Sequence, residues 1–159
     1  MKNYSIEIKW ALRFTLLTLA WAIGEKLIGL HDKYIADYLL YSMLFAVPAF
    51  LFYYLAIAEK KKFAYNGSMT FKQGFVTGII LSAIIALLSP MAQYVIYKSI
   101  TPHFFENLIS YKTTHTSMSA KTAGELFNLK SYMIQSIFNA LSYGMVTGAL
   151  VSLLLKNKK

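Results

Sequence analysis

Cysteine is absent from the 159 residues, which removes disulfides and thiolate metal sites from consideration. Charge is scarce, at 14% of residues, and acids are scarcest, with seven Asp and Glu against sixteen Lys and Arg. The three histidines, His31, His103 and His115, all fall between the apolar stretches, so no nucleophile and base can be assembled within them. Neither metal nor cofactor is expected, because no helical i, i+4 pair of ligands occurs and no Walker-type lysine follows a glycine loop. Glu25, His31, Asp32 and Asp37 cluster in sequence, and their simplest reading is a set of solvated loop and helix-end residues.

What is present is apolar, and it comes in blocks. Tyr38 to Ala58 (21 residues), Gly74 to Tyr97 (24) and Ser131 to Leu155 (25) contain no Asp, Glu, Lys, Arg or His. About 20 such residues make a helix as long as the hydrocarbon core of a bilayer is thick. A weaker block, Trp10 to Ile28, carries Arg13, Glu25 and Lys26, yet spans if Arg13 snorkels and the Glu25/Lys26 pair sits at an interface. A cleavable signal peptide ending at Ala20-Trp21-Ala22 is the rival, disfavoured by its tryptophan and the Ile-Gly-Glu that follows. The expected fold is therefore all-α: an integral membrane four-helix transmembrane bundle in a single domain, with spans about 9-29, 37-58, 73-98 and 131-155.

A formal charge of +9 ordinarily raises nucleic acid as a partner, but its distribution points to membrane orientation instead. Lys2, Lys9, Arg13, Lys60, Lys61, Lys62, Lys72, Lys156, Lys158 and Lys159 share one side of a four-span chain, with only Glu7 and Glu59 as acids. That side, holding both termini, is expected to be cytoplasmic. Lipid is then the expected surrounding, and no nucleic acid is expected.

Local signals refine the picture. Pro48 and Pro90 predict kinks in the second and third helices. Thr70 reads as the cap of the third, Thr101-Pro102 as the start of a short amphipathic outer helix bearing Phe104, Phe105, Leu108 and Ile109, and Thr122-x-x-Glu125 as a capping box opening the fourth. Trp21, Tyr38, Tyr97 and Tyr132 read as interfacial anchors on the outer side.

Two stretches repeat the pattern G-x-V-T-G-x-x-x-S: Gly74, Gly78 and Ser82 in one helix, Gly144, Gly148 and Ser152 in the other. Small residues every four positions form grooves that let helices approach closely in lipid, and these two run antiparallel in the cytoplasmic half. In the outer third, Gln93, Gln135 and Asn139 share a depth and predict a polar intramembrane cluster, either interhelical hydrogen bonding or an outward-facing cavity.

Several segments together resemble a known family. Lys9-Trp10-Ala11, G-L-H-D-K-Y-I (29–35), T-F-K-Q-G-F (70–75), I-T-P-H-F (100–104) and a glycine-bearing last helix ending in lysines are similar to the membrane proteins grouped as domain of unknown function 4199. The resemblance implies a small bacterial inner-membrane protein with four helices and supplies no activity. The expected role is non-enzymatic, through helix packing and through a partner, either a second copy or another membrane protein. The alternative is a small oligomeric transporter or channel with a polar outward-facing cavity, weakened by the lack of an acid at mid-span, Glu25 lying near the outer end of the first helix.

Overall fold

The structure is a computed structural model and describes residues 4–157; Lys2, Lys158 and Lys159 lie outside the described residues. Among the described residues every regular element is helical. Helix α1 spans Ser5–Leu27. A second rod runs through α2 (Tyr38–Ser42), a 3-10 turn (Met43–Phe45) and α3 (Ala46–Ala64). Helix α4 (Phe71–Val95) ends in a π turn (Ile96–Ile100), two short helices follow, α5 (Phe104–His115) and α6 (Ala120–Leu126), and α7 (Leu129–Leu155) closes the chain. Three rods, Tyr38–Ala64, Phe71–Ile100 and Leu129–Leu155, are long and apolar enough to cross a membrane. Helix α1 has the length, 23 residues, but Glu7, Lys9, Arg13, Glu25 and Lys26 leave it no sufficiently uncharged window.

The two prolines act differently. Before Pro48, which cannot donate to the Leu44 carbonyl, the rod tightens into the 3-10 turn. Helix α4 instead continues through Pro90. The Ala86 carbonyl that Pro90 leaves without its N–H accepts the Ser89 hydroxyl at 3.0 Å.

Three caps set the later boundaries. Thr70 and Gln73 form a complete capping box at the start of α4. The two other expected starts need correction. Thr101 and Pro102 make a turn in which the Thr101 carbonyl accepts the Phe104 N–H, so α5 begins at Phe104. Thr122 does not cap the last helix: it lies inside α6, donating its N–H to the Ser119 cap, and α7 starts afresh behind Asn128, whose side chain accepts the Ser131 N–H.

Helices α4 and α7 pack most extensively, antiparallel, along the two small-residue grooves. A Cβ added to Gly78 would lie 2.8 Å from the Gly148 Cα, one on Gly74 would lie 2.7 Å from the Ser152 hydroxyl, and one on Gly144 would collide with the Ser82 and Tyr53 hydroxyls. Pairing thus advances by four on α4 as it retreats by four on α7. Helix α1 lies chiefly against α4, and α3 against α7. One apolar core, including Ala11, Ile57, Leu81 and Val151, fills the half nearer the termini, and a second, including Ala22, Tyr97, Phe104 and Leu108, fills the far half.

A candidate polar pocket at the far end of the bundle

The far end of α1 is closed by a glycine turn. Gly29 adopts φ +82°, and its N–H and that of Leu30 return to the carbonyls of Lys26 and Glu25. This is the reversal that a left-handed residue after a helix permits, and it swings the chain back over the last turn. Leu30 is buried behind it, and His31 comes to rest against Glu25 six positions earlier. The Asn107 side chain of α5 donates to the His31 carbonyl at 3.0 Å, and the His31 ring lies edge-on to Tyr38 and Phe104.

Glu25 and His31 are therefore not solvated: 8% and 4% of their surfaces are exposed, which corrects the expectation from sequence. The Glu25 carboxylate accepts the Trp21 indole N–H at 2.8 Å and the Ser42 hydroxyl at 2.5 Å on one oxygen, and faces His31 Nε2 at 3.2 Å with the other. Among the described residues the basic side chain within reach of it is the His31 imidazole, which pairs with it as an ion only when protonated. Lys26, next in sequence, turns away to donate to the Ile100 carbonyl. Asp32 and Asp37 are exposed and stand apart from this pair, and among the described residues no group of three His, Cys, Asp or Glu could hold a metal ion.

Glu25 and His31 line a cavity of about 140 Å³ together with Trp21, Tyr38, Gln93 and Tyr97, among others. Two buried polar atoms on this lining have no hydrogen-bond partner: His31 Nδ1 and Gln93 Oε1. Tyr38, Tyr97 and Tyr132 pack with Phe104 and Phe105 in one aromatic cluster that closes the far end. A wider hollow of about 290 Å³ between Asp32 and α5 lies on the surface and contains neither of these unpartnered atoms.

The three amides grouped from sequence do not form one cluster. Gln93 turns inward to the cavity, whereas Gln135 and Asn139 lie on the exposed face of α7. Depth alone grouped them; the side of the helix separates them. Between α4 and α7 at this level the polar contact is Ser89 with Ser136, at 3.0 Å.

At the termini end, sequence reading missed two ion pairs. Glu7 is 2% exposed and meets the Lys60 ammonium at 2.9 Å. Glu59 accepts from Lys9 and, at 2.8 Å, from the Trp10 indole. The signal was available in the opposite charges at matching depths of α1 and α3.

The helical fold and its three apolar rods define a membrane-type protein. Over residues 9–157 the chain matches the family described as Protein of unknown function (DUF4199), and it belongs to that family. Comparison with curated proteins and with solved structures finds no match.

Proposed function

We propose that this protein crosses the bacterial inner membrane four times with both termini cytoplasmic and, without catalysis, binds a small solute in the far-end pocket, which then faces outward. The observation that carries the reading is a buried carboxylate and imidazole lining a cavity with two unpartnered polar atoms. Buried polar groups ordinarily find partners, and leaving them bare is costly. An occupant that completes their bonding removes that cost.

A span by α1 is supported on two grounds. Glu7 and Glu25 stand 18 residues apart, about 27 Å along a helix, against a hydrocarbon core of about 30 Å. Between them Ile8, Leu12, Leu16 and Ile23 form an exposed apolar stripe at helical spacing, suited to lipid. Absence of catalysis is supported by connectivity: Ser42 and His31 both bond to Glu25, so the imidazole is not placed to take the serine proton.

Introduced cysteines test the reading, since the chain has none of its own. Thr18→Cys in the pocket lining and Lys33→Cys on the exposed loop should react with a small, positively charged, impermeant thiol reagent from the outer face, and Lys61→Cys only from the inner. A Thr18→Cys protein that stays unlabelled while Lys33→Cys reacts would remove the pocket reading; the reverse sidedness would remove the orientation.

Assembly with a second copy or another membrane protein is the second reading. It is favoured by Gln135 and Asn139, whose amides have no side-chain hydrogen-bond partner among the described residues and face outward from an apolar helix. The glycine grooves do not serve it, being occupied within the chain. Cross-linking in native membranes from Asn139→Cys tests it; a lone monomer band would set it aside.

A further inference from the structure

We infer that the far-end pocket is built for a small organic cation bearing a primary ammonium group, an inference that rests on the pocket reading above and gives it a ligand class. The unsatisfied atoms carry the argument. In the neutral tautomer that donates Nε2–H to Glu25, His31 Nδ1 is a bare lone pair, and Gln93 Oε1 is a bare acceptor in any state of the ring. Glu25 contributes a carboxylate whose other partners, Trp21 and Ser42, are neutral donors.

The cavity thus offers acceptors and negative charge, with no lysine or arginine in its lining. A primary ammonium brings one positive charge and three N–H donors, which suit the carboxylate and a bare acceptor such as Gln93 Oε1; the ring nitrogens of His31 point apart, so a donor on Nδ1 is not the group that meets Glu25. Its short carbon chain would lie against the rings of Trp21, Tyr38 and Tyr97, surfaces that also favour a cation over their faces. An anion would meet Glu25 without a compensating charge, and a neutral alcohol would bring no charge to it. Size is restrictive as well: a cavity of about 150 Å³ takes a molecule the size of benzene, so about 140 Å³ admits a few heavy atoms and excludes a drug-sized amine.

The chain contains two tryptophans, one of them in the pocket, and this supplies a direct readout. In a Trp10→Phe background, with the full chain in detergent, Trp21 fluorescence is followed while n-propylammonium, n-propanol, propionate and tetramethylammonium are added separately. The expected result is a saturable change with propylammonium, none with propanol or propionate, and at least tenfold weaker binding of tetramethylammonium, which has no N–H. Glu25→Gln should raise the half-saturating propylammonium concentration at least tenfold. If that variant does not fold, Gln93→Met leaves the Glu25 bonds intact and should raise it at least threefold; unchanged binding in a folded variant overturns the inference.

Saturation by propanol or propionate at equal or lower concentration overturns the ammonium assignment and leaves the pocket reading standing. No response to any of the four while Thr18→Cys is labelled means a water-filled cavity and overturns the ligand class alone. No response together with an unlabelled Thr18→Cys overturns both.

Discussion

The two ends of the bundle each bury a carboxylate of α1, and they treat it in opposite ways. At the termini end Glu7 is matched to a lysine, and the neighbouring contacts are closed: Lys61 donates to the Leu155 carbonyl at 2.8 Å, and Asn157 exchanges hydrogen bonds with the Met69 backbone. At the far end Glu25 is met by an indole, a hydroxyl and an imidazole, beside a cavity whose lining residues hold two unpartnered polar atoms. The same residue type on the same helix thus joins α1 to α3 at one end and leaves room for an occupant at the other. What distinguishes them is whether partner atoms inside the chain complete the polar inventory.

The largest expected effect falls on the closed end. Glu7→Gln leaves the Lys60 ammonium buried opposite a neutral amide, and breaking a buried pair costs about 3–5 kcal/mol, read as a lower unfolding midpoint in detergent. A Glu7→Met, Lys60→Met double variant should recover most of that loss, because apolar replacement of a whole pair is often neutral or stabilising. Failure to recover would mean that the pair does more than join two helices.

Next comes the groove between α4 and α7, which both ends share. Gly78→Leu drives a side chain into the Gly148 backbone, which cannot rotate away, and should cost about 1–3 kcal/mol by the same measurement. An unshifted midpoint would show that the helices separate without loss.

Glu25→Gln should be milder, about 1 kcal/mol or less, since the amide oxygen keeps the Trp21 and Ser42 donors and His31 Nε2 can turn from donor to acceptor by moving its proton to Nδ1. Its consequence is in ligand binding. Smallest of all, Gln135→Leu should leave folding within about 0.5 kcal/mol and the pocket response unchanged, because Gln135 faces away from the cavity.

Much of the helical frame was legible before any coordinates. Uncharged runs marked three rods, and the four-residue recurrence of small side chains marked the surfaces of α4 and α7 that meet. Periodicity encodes which face of a helix packs, so this part needed no tertiary information. Helix α1 was harder, because its charges obscure its apolar stripe, and those charges become intelligible only when Lys60 and Ser42 from the neighbouring rod are placed beside them. The pocket was the least legible. Glu25 and His31 look like loop residues until the Gly29 reversal folds one onto the other, and Gln93 was grouped with Gln135 and Asn139 by depth when helix rotation separates them. The Thr122 box also misled, since Ser119 offered a competing cap three residues earlier.

A head-to-head comparison of Glu7→Gln and Glu25→Gln in the Trp10→Phe background tests the central contrast most directly, with unfolding midpoint and propylammonium response measured on the same samples. Glu7→Gln should lose stability and keep the response wherever it is folded, and Glu25→Gln should keep stability and lose the response. Equal behaviour of the two variants, or a Glu25→Gln protein that binds as the parent does, would contradict the account.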